Sequence, residues 1–181
     1  MLVNISIVSE GVLANKNDFR YTIGYEAEPG KIIPLYIKTP KNCTSSGISR
    51  YNENSPYNMG FNVSEDLIWI VKYQDIWSRV EELMVQKLTN TPLKNAQYIN
   101  PKLICWNDKI KTYFQNAKGD HKNYNDIGYC YATGVLKIGG VYKQGLNFYM
   151  QIFLKEVKYT ERDIDFKSQL SDEDDGYDII F

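Results

Sequence analysis

Alternation of apolar and polar positions governs both ends of the chain, and alternation is the signature of half-buried strands. Val3-Asn4-Ile5-Ser6-Ile7-Val8 alternates, and Glu28-Pro29-Gly30 interrupts the pattern as a turn does. Ile33, Leu35 and Ile37 then share one face of a run whose other face carries Tyr36 and Lys38. Two longer runs follow late in the chain, at residues 129–138 and 147–159. In the first, Cys130, Ala132, Gly134, Leu136 and Ile138 lie on one face, with Tyr129, Tyr131, Thr133, Val135 and Lys137 opposite. In the second, Phe148, Met150, Ile152 and Leu154 form the apolar face, leaving Tyr149, Gln151, Phe153 and Lys155 on the other. Gly139-Gly140 and Gly145 between the runs predict a hairpin with a wide loop.

The middle of the chain reads differently. Residues 39–62 are rich in Pro, Asn, Ser and Gly and predict a long irregular segment. Leu67-Ile68-Trp69-Ile70-Val71 predicts a buried strand over 67–73, after which Asp75 is placed to cap a helix. Ile76, Val80, Leu83, Met84 and Leu88 recur at helical spacing, and Asn90-Thr91-Pro92 ends the helix. Mostly strands, with one or two helices between them, suit a mainly β fold closed into a small barrel. A length of 181 residues fits one packed domain, set at 1–160, followed by a flexible acidic tail, 161–181.

Charge separates these two parts more clearly than the total of −1 suggests. From residue 161 on, eight acids face only Arg162 and Lys167, a net of −6, so residues 1–160 carry +5 from 19 bases and 14 acids. Five carboxylates within 172–178 repel one another and predict a disordered segment. It closes on an apolar hook, Ile179-Ile180-Phe181, which a purely solvating tail does not need. With Asp174, Asp175 and Asp178 beside it, the hook reads as a docking peptide for another protein. The longest apolar run is too short to span a bilayer, and no export signal opens the chain, so an intracellular protein without membrane contact is expected.

Little in the sequence supports catalysis or a cofactor. Cys43, Cys105 and Cys130 are too few and too scattered, with the single His121, for a zinc site or disulfide framework. His121 lies in a polar loop, no nucleophile elbow is present, and Gly139-Gly140 lacks the spacing of a phosphate loop. The chain is therefore expected to be no enzyme and to need no cofactor or metal. The aromatic content argues for binding instead: fifteen Tyr against seven Phe implies many rings touching water. Tyr36 with Lys38, Tyr131 with Lys137, and Tyr149 with Lys155 each lie across a strand from an apolar face. Rings that stack bases, interleaved with ammonium groups that follow phosphates, are what single-stranded nucleic acid requires. The candidate binding residues are Tyr36, Lys38, Lys41, Arg50, Tyr131, Lys137, Tyr142, Lys143, Tyr149 and Lys155.

The tail Asp172-Glu173-Asp174-Asp175-Gly176-Tyr177-Asp178-Ile179-Ile180-Phe181 resembles that of replicative single-stranded-DNA-binding proteins of the short-tailed phage type. Pro34-Leu35-Tyr36-Ile37-Lys38-Thr39-Pro40-Lys41 with Gly47-Ile48 following, and Val135-Leu136-Lys137-Ile138 through Val141-Tyr142-Lys143 to Lys158-Tyr159, look like the counterparts in nucleo-cytoplasmic large DNA viruses. The resemblance implies an OB-fold barrel that binds single-stranded DNA in replication, recombination and repair, at a viral replication site in host cytoplasm or nucleus. By likeness, Tyr36, Lys38, Lys41, Lys137, Tyr142 and Lys143 line the groove. By the same likeness Phe181 is expected to contact DNA polymerase, helicase or primase, and a homodimer is left open. Two alternatives remain at this stage: an adaptor whose C-terminal peptide docks into a partner, and a single-stranded RNA binder.

Overall fold

The computed structural model describes residues 5–12, 19–89, 98–107, 109–119 and 123–161, with backbone alone for 5–12 and 19–20. In chain order the strands are β1 (Ile5–Val12), β2 (Phe19–Glu28), β3 (Lys31–Lys38), β4 (Cys43–Ser49) and β5 (Asn58–Asn62). Helix α1 (Leu67–Met84) follows. Next come the short strands β6 (Tyr98–Ile99), β7 (Lys102–Leu103), β8 (Cys105–Trp106), β9 (Lys109–Ile110) and β10 (Tyr113–Asn116). A 3₁₀ turn (Tyr124–Asp126) leads into β11 (Cys130–Gln144) and β12 (Asn147–Glu161). The acidic segment predicted for 161–181 lies, from residue 162 on, outside the described residues, as do His121 and the hook.

Antiparallel β11 and β12 form the spine. One edge of β11 is covered in succession by β4 at Cys130–Ala132, β3 at Val135–Ile138 and β2 at Val141–Lys143. The other edge of β12 receives β7 and then β10, both parallel to it. Because β4 pairs with β5 and β5 with β7, the path β4-β5-β7-β12-β11 returns to β4 and closes a five-stranded barrel. Numbered along the chain, the ring order is 1-2-3-5-4, with strands three and five parallel, the arrangement of an OB-fold. The predicted mainly β, OB-fold-like barrel is the fold observed.

The alternation read from the late runs is what fills this barrel. Ala132, Leu136 and Ile138 are buried, as are Leu35, Ile37, Met59, Phe61, Leu103, Leu154 and Val157 from the other strands. Each of these side chains larger than Ala132 contributes roughly 1.5–3 kcal/mol by leaving water. Helix α1 adds Trp69, Tyr73, Ile76, Trp77 and Val80 to the same core, with the Trp69 and Tyr73 rings stacked 4.7 Å apart. The Trp69 Nε1–H donates to the Lys38 carbonyl and ties the helix to the end of β3.

Three sequence expectations are corrected. Residues 67–73 are the first two turns of α1, not a strand: the Asp66 Oδ1 accepts from the Trp69 N–H at 2.8 Å, and the cap is Asp66, not Asp75. The apolar run misled because Leu67, Ile68 and Val71 point to solvent while Trp69 and Tyr73 point inward. The helix also stops early, at Met84, where Val85 adopts a left-handed φ of 53° and the chain turns to bury Leu88. Residues 39–62 hold β4 and β5 where an irregular segment was expected. Their inward positions at Cys43, Ser45 and Gly47 are small, so the strand buries its face without showing a hydrophobic period.

The third correction concerns the late hairpin. Its turn is tight, Gly145-Leu146, and Gly139-Gly140 lies inside β11 as a bulge. Gly140 has φ 139°, and a Cβ there would run into the Tyr21 carbonyl of β2, so only glycine lets β2 close on β11. Gly145 also has a positive φ, 59°, but open space around it. Gly140→Ala should therefore cost about 3 kcal/mol or more, against about 1 kcal/mol for Gly145→Ala, in urea unfolding. Equal losses at the two positions would show that the close approach of β2 contributes nothing.

Candidate nucleic-acid interface

With Ala132, Leu136 and Ile138 inside the barrel, the intervening residues of β11 are forced outward. The register then fixes their neighbours. Lys137 lies opposite Tyr36 of β3 on one side and Phe153 of β12 on the other, and Phe153 lies opposite Lys102 of β7. Leu103 and Leu154, one residue on, are both buried, so Lys102 and Phe153 share the outer face. The result is a row across four adjacent strands, Tyr36-Lys137-Phe153-Lys102, in which ring and cation alternate. At about 4.8 Å per strand the two rings sit roughly 10 Å apart.

Neighbouring rows extend the face. Lys38, Val135, Glu156 and Tyr113 form the next, and Thr133, Lys158 and Gln115 the one after. Lys155 occupies a bulge, since Leu136 pairs with Leu154 and Val135 with Glu156. From there its side chain reaches across β11 to place Nζ 4.5 Å from the centre of the Tyr36 ring. The Phe153 ring lies over Gly139, where any Cβ would strike it. Lys38, Lys102, Lys137, Lys155 and Lys158 thus surround two rings, with Glu156 as the acid among them. Among the described residues, none of these five lysines forms a salt bridge.

The other candidate residues divide. Tyr131 is on this outer face near the start of β11, between Thr44 and Thr160. Tyr142 and Tyr149 face each other at the far end of the spine. From Tyr131 to Tyr142 the face measures about 36 Å along the strand. Lys41 is exposed in the turn between β3 and β4, where the next residue's N–H donates to Thr133 Oγ1. Two expected members lie elsewhere. Lys143 is turned to the opposite face by the glycine bulge, its Nζ 5.6 Å from the Phe148 ring. Arg50, beyond the end of β4, stacks 4.9 Å over Tyr57 and donates to the Glu53 carbonyl. Asp174, Asp175, Asp178, Ile179, Ile180 and Phe181 lie outside the described residues. Lys102, Phe153 and Lys158 were missed by sequence reasoning. Phe153 had a legible outward position, whereas Lys158 lies beyond the Lys155 bulge, which reverses the period, and two-residue β7 carries no period at all.

Chemistry at two of the three cysteines is restricted by burial. Burial pushes the Cys43 thiol up to about 12, aided by Asp66 and Glu65 and opposed by a hydrogen bond with Thr39. Burial likewise raises Cys130 to about 11, against a hydrogen bond with Ser45. Among the described residues no group of three His, Cys, Asp or Glu is placed to hold a metal ion. No helix there is long and apolar enough to cross a membrane.

No protein family's sequence profile matches the chain, and no curated protein matches it in sequence. Among solved structures it is similar to the single-stranded DNA-binding protein from bacteriophage Enc34. The C-terminally truncated form gives a TM-score of 0.42 at 8% identity, covering 88% of this chain and 96% of that one. The same phage protein in complex with single-stranded DNA gives 0.41 at 11% identity, covering 91% and 98%.

At neutral pH a thiol reagent should modify Cys105 in the native protein and reach Cys43 and Cys130 only after denaturation. Both buried thiols ionise more easily unfolded, near 9.0, so their contribution to stability is intact below that pH and is lost as pH rises through 11 to 12. Three fast-reacting thiols in the native protein would contradict the barrel packing.

Proposed function

We propose that this chain is a sequence-nonspecific single-stranded-DNA-binding protein of DNA replication, recombination and repair. The observation that carries the reading is the alternating row Tyr36-Lys137-Phe153-Lys102 on one outer face of the barrel. Rings roughly 10 Å apart suit bases that have left their stack, since stacked neighbours in a duplex rise only about 3.4 Å. A duplex hides its base faces and would offer this row phosphates alone. The Enc34 protein is named as complexed with single-stranded DNA. The case for this chain rests on its own face.

Magnitudes decide how the Lys155 contact behaves. An exposed cation–π contact is worth about 0.5–1 kcal/mol, whereas stacking a base on an aromatic ring is worth about 1–3 kcal/mol. A base therefore displaces the ammonium from Tyr36, and the freed charge goes to a phosphate. The acidic segment from residue 161 completes the reading: at −6 it competes with the strand for the cationic rows and, once released, offers its Asp174–Phe181 portion to polymerase, helicase or primase.

Titration of labelled oligo(dT) at several salt concentrations separates the roles. Tyr36→Ala and Phe153→Leu should each weaken binding about 5- to 150-fold with the salt dependence unchanged. Lys137→Ala should flatten the logarithmic salt slope by about 0.7, and Lys143→Ala should leave it as it was. Full affinity in both ring variants would refute the stacking row. Deleting residues 162–181 should tighten binding at low salt. An unchanged affinity would remove the competing role of the tail. Equal competition by RNA of the same length would broaden the ligand to either single strand.

A further inference from the structure

Strands β7 and β10 meet the same edge of β12 one after the other, β7 beside Phe153–Leu154 and β10 beside Glu156–Tyr159. Between them the chain leaves the barrel. Residues 104–107 and 109–112 form a small arm in which Cys105 pairs with Ile110 and Trp106 with Lys109. The root of the arm is fixed by three hydrogen bonds. The Lys111 N–H donates to the Ile104 carbonyl at 2.7 Å, and the Ile104 N–H donates to Thr112 Oγ1 at 2.8 Å. The Thr112 hydroxyl, buried, donates in turn to the Leu154 carbonyl at 2.6 Å. Leu154 directly precedes Lys155, so the arm springs from the barrel beside the ring row.

What the arm carries is unlike the rest of the tryptophan content. Trp69 and Trp77 are 4% and 3% exposed, whereas Trp106 is 68% exposed. Lys109 stands opposite it, Lys111 follows, and Lys102 of the row precedes; all three are exposed and, among the described residues, form no salt bridge. Tyr113, 45% exposed, continues the aromatic surface into β10. An exposed indole can mark a protein contact, but protein interfaces are depleted of lysine, whereas strand-binding grooves set lysine among rings.

We infer that the arm formed by β8 and β9 is a second stacking contact for single-stranded nucleic acid. Trp106 takes a base adjacent to those on the Tyr36–Phe153 row, and Lys109 and Lys111 take its phosphates. This deepens the function proposed above and rests on it. Thr112 is a positioning residue: its hydroxyl sets where the arm leaves the sheet.

The buried state of Trp69 and Trp77 makes the test direct, because a strand on the surface quenches only Trp106. Full-length protein is titrated with labelled oligo(dT), following anisotropy of the label for binding and tryptophan emission for the arm. The expected result is a quench that follows the anisotropy isotherm. Trp106→Phe should lose the quench, and Trp106→Ala should bind about 5- to 150-fold more weakly. Lys109→Ala should reduce the logarithmic salt slope by about 0.7. Binding by anisotropy with unaltered Trp106 emission, or a quench that survives in Trp106→Phe, would overturn the arm while leaving the row. Emission that shifts with protein concentration and not with oligonucleotide would assign the arm to contacts between copies and also overturn it. Absence of any anisotropy change in the unaltered protein would overturn the binding face itself and the arm with it.

Discussion

The pairing of β11 with β12 is the constraint on which the rest of the molecule depends. Each strand is fifteen residues long and is bonded on both edges, so the barrel and the added β1-β2-β3 layer share one two-stranded spine. Strand geometry allows only two sides. Once Leu136, Ile138, Leu154 and Val157 enter the core, Lys137, Phe153 and Lys158 have no choice but to stand outside together. The proposed binding face is thus the back of the core, aligned by the same register that packs it.

Two irregularities in that pairing give the face its character. A one-residue insertion in a strand reverses every side chain beyond it unless the partner compensates. At Lys155 the extra residue lets two successive positions, Lys155 and Glu156, both point outward, and it falls where β7 ends and β10 has yet to begin. The chain between those strands has no edge to occupy at that point, and there the arm with Trp106 departs. At Gly139 the extra residue has no side chain, and Phe153 lies across the gap. Beyond it the parity of β11 changes, so Tyr142 stays with the rings while Lys143 goes to the far side. Both departures from a regular ladder occur at the densest part of the ring row, in keeping with bulges that re-aim side chains next to functional sites.

These same irregularities limited what the sequence could tell. The faces of β11 up to Ile138 and of β12 up to Lys155 were legible because a period of two is visible in any alternating run, and Tyr36, Lys38, Lys137 and Lys155 were recognisable on that basis alone. That Tyr36 should lie beside Lys137, a hundred residues away, is a fact of pairing and leaves no local trace. Nor does a bulge, so Lys143 was placed with Tyr142. β4 escaped notice because its inward residues are Cys43, Ser45 and Gly47, whose burial depends on the strands covering them and not on their own apolar area. Arg50 has the right chemistry, but Tyr57 and the Glu53 carbonyl engage it outside the row. Lys102 and Trp106 sit in two-residue strands, too short for any periodicity to mark.

Under the proposed function, sequence tolerance follows from what the face contains. Discriminating one base from another needs donors and acceptors held against base edges in fixed geometry, such as the bidentate pairs that arginine or asparagine make. The densest row has no such group: two rings meet the π-faces that every base shares, and two ammonium groups meet phosphates that every nucleotide shares. Affinity is then a sum of similar small increments along the strand. An ion-pair increment weakens with salt, while a stacking increment of about 1–3 kcal/mol does not depend on releasing counterions. A face of this composition retains a base-stacking floor when its electrostatic part is screened, and so can hold a strand without choosing among sequences.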